Sequence, residues 1–161
     1  MKAPYIVAVV VAVVAGLYAG VHLLIPLVLT GVVWWATRRL FPTRPADFVA
    51  AAAVQIGHLL WIAIGLVVIG ALTVDLLDIA ILLGGSAWLL ARPGLPAVVV
   101  LTIYHALALL INLVAFLSFP IGHNLHKALL IHILWRVLAL LFMWRGRSRA
   151  QRVAEVPEEI A

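Results

Sequence analysis

The sequence predicts an all-α fold: a polytopic integral membrane protein in which five helices form one transmembrane bundle. Of the 161 residues, 66% are hydrophobic and only 11% are charged. A soluble domain of this length is about half apolar and about one quarter charged. Long apolar runs are separated by short segments rich in Arg, Pro and Gly. Such an apolar excess cannot be buried in one small core, so the surface of the bundle must face lipid.

The first predicted helix covers residues 5–37 and ends at the basic segment TRRLFPTRPAD. A helix needs about 20 residues to cross the hydrocarbon core, so this one must tilt, kink or protrude. Pro26 and the glycines at 16, 20 and 31 are the expected bend points. The opening resembles a signal peptide, but no cleavage site is followed by a soluble region. We therefore expect it to be retained as a membrane helix.

Four further helices follow, each ended by a charged or Pro- and Gly-containing segment. Asp47 is the expected N-cap of the second helix, and ARPGLP and FPIG end the third and fourth. The predicted spans are residues 47–72, 74–91, 95–119 and 122–144. Residues 1–145 thus form a single transmembrane domain. Residues 146–161 are expected to form a polar cytoplasmic tail without helical periodicity.

The basic residues predict the orientation of the chain. Eight arginines flank the helices on one side of a five-helix topology, namely Arg38, Arg39, Arg44, Arg92, Arg145, Arg147, Arg149 and Arg152. The other side receives only Lys2 and Lys127. Because cytoplasmic loops carry an excess of Lys and Arg, we expect a multi-pass protein of the plasma (inner) membrane, with the N-terminus outside and the C-terminus cytoplasmic. This topology, together with anionic lipid, explains the net charge of +5 without nucleic acid.

Three histidines on different predicted helices lie at similar depth. Counted inward from the basic ends at about 1.5 Å per residue, His58, His105 and His132 lie roughly 18, 15 and 20 Å deep. These depths are near the middle of a core about 30 Å thick. His22 comes out at roughly 24 Å, closer to the outer side. The spacing therefore predicts a histidine-lined site inside the bundle.

Each of the three histidines shares a helix face with another polar residue, at a spacing of three, four or seven. Gln55 accompanies His58, Asn112 accompanies His105, and Arg136 accompanies His132. We expect these side chains to form a polar seam between helices. Arg136 either extends to the cytoplasmic surface or meets an acidic partner within the bundle or in another subunit.

The remaining titratable residues are expected to lie outside this seam. Asp75 and Asp78 are interpreted as charges that complement a helix N-terminus, so no carboxylate is expected at the depth of the histidines. His123 and His126 are expected to be solvated at the start of the fifth helix and to point away from His132.

Three imidazoles at one depth are compatible with three kinds of site, and the sequence leaves them open. A b-type haem would take two of the histidines as axial ligands, with Arg136 near a propionate. Alternatively, His58, His105 and His132, with His22 as a weak fourth candidate, suit Zn or Cu. The third kind is a proton or ion relay that continues through Gln55 and Asn112. The absence of cysteine excludes thiolate metal sites and covalently attached c-type haem.

The leading hypothesis from the sequence is a small integral membrane subunit or accessory protein, with haem b or quinone-linked electron transfer as its most specific form. One alternative is a transporter of protons, ions or small solutes. Another is a structural or assembly subunit without a cofactor. The expected partners are the lipid bilayer and other membrane subunits or further copies of the chain. The sequence has no phosphate-binding loop, nucleophile elbow or paired carboxylates, so it predicts no enzyme class.

The haem hypothesis makes one spectroscopic prediction. A protein purified gently from its own membrane should give a haem band in a reduced-minus-oxidised absorbance spectrum, because bis-histidine haem iron changes oxidation state readily. The band should be lost in His105→Ala if His105 is a ligand. A colourless protein that also contains no Zn or Cu would instead leave the relay and the structural interpretations.

Overall fold

A computed structural model describes residues 20–69, 74–120 and 124–154. These residues form five helices and contain no strand, which confirms the all-α membrane bundle. The helices are α1 (Val21–Leu40), α2 (Ala46–Ile69), α3 (Val74–Ala91), α4 (Leu95–Ser118) and α5 (Asn124–Ala154). Four of them are long and apolar enough to cross a bilayer, whereas the apolar part of α3 is shorter, at Leu76–Ala91. The predicted helical residues 5–19 and 70–72 lie outside the described residues.

Helix α1 begins one residue after a sharp turn at Gly20. Gly20 has φ 61° and ψ −141°, a backbone conformation that interrupts a helix. Glycine adopts it at little cost because it has no Cβ. The sequence predicts a helix over residues 5–37 with possible bends, and within the described residues α1 starts at Val21 and ends at Leu40. One of the expected bend points, Gly20, is therefore where α1 begins.

Helix α2 is the centre of the bundle and packs against α1, α3 and α5. Ala51, Ala52 and Ala53 are fully buried there. Small side chains let neighbouring helices approach closely, as is usual in membrane bundles. The closest approach is at Gly57, where an added Cβ would lie 2.8 Å from the Cα of Thr30 in α1. The central helix thus depends on small residues to hold its neighbours.

Helix α5 continues well beyond the predicted end of the fifth span. Its 31 residues correspond to about 46 Å of helix, more than a 30 Å hydrocarbon core requires. The predicted polar tail therefore begins as helix, from residue 146 to Ala154. Packing explains the extension, because Gly146 lies against Phe48. Asp47 also binds Arg145 at 3.2 Å and Arg149 at 2.6 Å.

The three basic regions lie at one end of the bundle. Arg44, in the loop after α1, donates to the carbonyl oxygen of Ala91 at the end of α3 over 3.0 Å. The bonds from Arg145 and Arg149 to Asp47 tie the end of α5 to the start of α2. These contacts give the one-sided distribution of arginine expected from the sequence. We call this the basic end.

Gly57→Ala should destabilise the bundle because the new methyl group would press against the backbone of Thr30, which cannot move aside like a flexible side chain. Overpacking of this kind costs about 1–3 kcal/mol. Gly65→Ala is a matched control in the same helix, since nothing lies within 4 Å of a Cβ added at Gly65. Thermal unfolding in one detergent should show a lower midpoint for Gly57→Ala alone. Equal midpoints for both variants would contradict the close α1–α2 packing.

Candidate functional site

Polar side chains from four helices meet inside the bundle. They are Gln55 and His58 from α2, Asp78 from α3, Tyr104 and His105 from α4, and His132 and Arg136 from α5. We call these seven residues the polar cluster. Counted from the basic end, they lie about 12–22 Å deep, a narrow layer near the middle of the helices. Of the predicted site residues, this layer contains His58, His105, His132, Arg136 and Gln55.

His58 and His132 form a direct hydrogen bond between α2 and α5. The Nε2 atom of His58 is 2.6 Å from the Nδ1 atom of His132. The ring centroids are 4.8 Å apart and the planes are tilted by 52°. Because a neutral imidazole has one donor and one acceptor nitrogen, one ring donates and the other accepts. Two of the three predicted histidines are thus in contact.

Arg136 forms an ion pair with Asp78 beside the histidine pair. Its Nη2 atom is 2.5 Å from Oδ2 of Asp78, and its side chain is only 3% exposed. The hydroxyl of Tyr104 donates to the other oxygen, Oδ1, of Asp78. The guanidinium carbon lies 5.2 Å from the centre of the Tyr104 ring, within cation–π range. The carboxylate of Asp78 in α3 thus binds one side chain from α4 and one from α5.

The acidic partner of Arg136 corrects one interpretation of the sequence. Asp78 was assigned to a helix N-terminus, and no carboxylate was expected at the depth of the histidines. Helix α3 is short, however, and ends at Ala91, thirteen residues after Asp78. That count places Asp78 about 20 Å from the basic end, level with His132 and about 6 Å deeper than the backbone of Arg136, whose long side chain reaches the carboxylate. Of the two alternatives for Arg136, a partner within the bundle is the one found.

Tyr104 is the second residue that the sequence argument missed. Its phenol ring lies beside the ring of His105, with centroids 5.1 Å apart, and its hydroxyl binds Asp78. The sequence feature that could have indicated Tyr104 as part of the site is its position next to His105 in a mostly apolar helix.

His105 is buried but is not joined to the other two histidines by a hydrogen bond. It is 1% exposed, and among the described residues neither ring nitrogen has a hydrogen-bond partner. The Nε2 atom of Gln55 donates to the carbonyl oxygen of Ala51 at 3.4 Å, whereas its Oε1 atom has no partner within the described part of the chain. Asn112 is half-buried, and its Nδ2 atom has no partner in that same part. The polar seam is therefore only partly joined by direct bonds.

The predicted cofactor sites can be compared with this geometry. An iron between two axial imidazoles needs nitrogen atoms about 4 Å apart, given metal–nitrogen bonds near 2 Å. The 2.6 Å separation of His58 and His132 has no space for it. Within residues 20–69, 74–120 and 124–154, no group of three or more His, Cys, Asp or Glu side chains is placed to hold a metal ion. The hydrogen-bonded pair of His58 and His132 therefore leaves no space for an iron between these two rings. Haem b, Zn and Cu at other combinations of the histidines stay predictions from the sequence.

The three remaining histidines lie elsewhere in the chain. His22 is in α1, but its side chain is outside the described part of the structure, as is all of His123. His126 was expected to be solvated, yet it is only 4% exposed. Its ring stacks on Phe116 with centroids 4.1 Å apart, and Nε2 donates to the carbonyl oxygen of Phe116 over 2.6 Å. His126 thus ties the start of α5 to the last turns of α4 and belongs to packing.

The fold and the polar cluster together define an all-helical membrane protein with an ion pair and a histidine pair inside its bundle. Comparisons with protein-family models, with curated proteins and with solved structures found no match for this chain.

Asp78→Asn should be strongly destabilising, because it leaves the buried positive charge of Arg136 without its counter-charge. Breaking a buried pair in this way costs about 3–5 kcal/mol. Arg149→Gln is the matched control, since Arg149 is 50% exposed and Asp47 keeps Arg145 as a partner. Exposed pairs contribute about 0–1 kcal/mol. Thermal unfolding in the same detergent compares the two variants. Equal shifts would show that Arg136 and Asp78 are not a buried pair.

Proposed function

We propose that this protein transfers protons across the membrane, alone or coupled to a small solute, through the polar cluster. The observation that carries the proposal is the hydrogen bond between His58 and His132 in the interior of the bundle. Ionisable side chains inside a membrane bundle are rare and commonly mark proton or ion pathways. Here four such side chains come from positions within about 6 Å of depth, because Asp78 and Arg136 accompany the two histidines.

The chemistry of the imidazole pair supports this proposal. Each ring has two nitrogens, so it can accept a proton on one side and release a proton from the other. A proton that binds the outer nitrogen of one ring allows the shared proton to cross the 2.6 Å bond, and the second ring then releases a proton from its own outer nitrogen. Rotation of both rings restores the starting tautomers. Histidine is the side chain best suited to such exchange near neutral pH.

The surrounding charges favour a relay over a redox centre. Asp78 neutralises Arg136, so the pair can lie within the bundle without a second counter-ion. The carboxylate and the Tyr104 hydroxyl are already hydrogen-bonded, which makes them a second path for a proton beside the histidines. Gln55 lies one helical turn from His58 toward the basic end, and its Oε1 atom can accept from water on that side. We assign the basic end to the cytoplasm on the positive-inside rule.

His58→Gln should abolish proton movement while leaving the fold intact. Glutamine keeps a polar side chain that can hydrogen-bond His132, but an amide does not relay protons at neutral pH. In vesicles containing a pH-sensitive dye, a potassium gradient with valinomycin drives proton entry through the wild-type protein. We expect the rate for His58→Gln to fall to that of protein-free vesicles. His126→Gln is the matched control, because His126 is also buried but lies outside the polar cluster.

Each outcome of this experiment has a separate meaning. A wild-type rate no higher than that of protein-free vesicles would exclude proton conduction without a co-substrate. Equal loss in His58→Gln and His126→Gln would mean that both changes act through the fold. A haem spectrum from protein isolated in its own membrane would instead favour the electron-transfer hypothesis. If none of these activities is found, a structural or assembly subunit is the remaining interpretation.

A further inference from the structure

A groove runs along the outside of the bundle between α1, α2 and α5, away from the polar cluster. Its volume is about 500 Å³, within the range of small-molecule sites. Leu27, Gly31 and Trp34 line it from α1, Ala50 and Val54 from α2, and Phe142 from α5. These side chains are almost entirely apolar. The groove opens sideways on helices that face the hydrocarbon core, so its occupant must be apolar over most of its length.

One end of the groove is charged. Asp47 lines it there, and the guanidinium groups of Arg145 and Arg149 bind the two oxygens of this carboxylate. The arginine side chains are 38% and 50% exposed, whereas Asp47 is 10% exposed. Two arginines thus bind one carboxylate, and these three groups together carry one net positive charge. Arginine guanidinium groups are well suited to phosphate recognition, since their donors match its oxygen atoms.

We propose that this groove binds one anionic phospholipid, with an acyl chain along α1 and α2 and the phosphate at Arg145 and Arg149. An apolar channel that ends in a net positive charge at the membrane surface matches the two parts of such a lipid. This site is independent of proton transfer by the polar cluster.

Two other occupants of the groove would come from the protein itself, namely residues 1–19 and a second copy of the chain. Charge argues against both of them. Residues 1–19 are apolar, but their only charged side chain is Lys2, which brings no anion to the arginines. A second copy of the chain would bring its own basic end. In the sequence, the segments at that end carry eight arginines, against Asp47 and three glutamates in residues 155–161, so the net charge is positive and two copies would repel each other there. An anionic lipid is the occupant that complements the groove along its whole length.

The apolar half of the site is tested by filling the groove. In Gly31→Leu the new side chain enters the groove from α1, where nothing lies within 4 Å of an added Cβ. Gly84→Leu is the matched control, because Gly84 is equally open but lies on α3. Each protein is reconstituted with equal amounts of phosphatidylglycerol and phosphatidylcholine, extracted in mild detergent and examined by native mass spectrometry. We expect wild type and Gly84→Leu to retain one phosphatidylglycerol, and Gly31→Leu to lose it.

The charged half is tested by Arg149→Gln, which leaves Arg145 on Asp47 and so preserves the fold. An arginine near anionic lipid contributes about 1 kcal/mol, so the preference for phosphatidylglycerol over phosphatidylcholine should fall about fivefold. Arg92→Gln removes an exposed arginine from the same end of the bundle but away from the groove, and should leave the preference unchanged.

Retention of lipid by Gly31→Leu would overturn the proposal. Equal binding of the two lipids by wild type would overturn it as well, as would a change of oligomer mass in Gly31→Leu.

Discussion

The ion pair between Arg136 and Asp78 constrains the arrangement of the helices around it. An unpaired arginine inside a bundle is expensive, and α5 places the Arg136 side chain there with only 3% exposure. Helix α3 must therefore bring Asp78 to the same depth, and α4 must lie where Tyr104 can bind the second carboxylate oxygen. Because His132 lies one turn before Arg136, the rotation of α5 that satisfies the ion pair also turns His132 toward α2. The histidine pair is in this sense a consequence of the ion pair.

Several polar atoms in the cluster are buried without a partner among the described residues. They include both nitrogens of His105, Oε1 of Gln55, and Nε and Nη1 of Arg136. Burying polar groups in this state costs free energy, and a scaffold that only had to hold helices together would be more stable with apolar side chains there. Groups able to accept or donate further hydrogen bonds are what a proton path requires. The same atoms that weaken the bundle are therefore those that support the proposed function.

The fold class, the helix order and the common basic end could all be predicted from the sequence, because each follows from apolar length and from the position of arginine. Depth follows from the sequence too, since a helix rises by a fixed amount per residue. For this reason the sequence places His58 and His132 at similar depth, and the two rings are in contact. The neighbouring helix toward which each side chain points could not be derived from a residue count. His105 lies at the same depth as its two neighbours, yet its ring lies beside Tyr104 and makes no bond to them. Asp78 was missed because its position was read from the start of α3. Its depth is set by the end of that short helix.

A second set of contacts involves residues next to the histidine pair and the ion pair in sequence. Gly57 precedes His58 in α2 and lets Thr30 of α1 approach the backbone. The Thr30 hydroxyl oxygen in turn accepts a hydrogen bond of 3.0 Å from the indole nitrogen of Trp135, the residue before Arg136 in α5. Helix α1 thus fixes both helices that supply the histidines, at the depth where the two rings meet. The ion pair constrains the rotation of α5, and the bond from Trp135 to Thr30 ties α5 to α1 beside its direct packing on α2. Together they allow an imidazole–imidazole bond of 2.6 Å between helices that have no covalent connection near it.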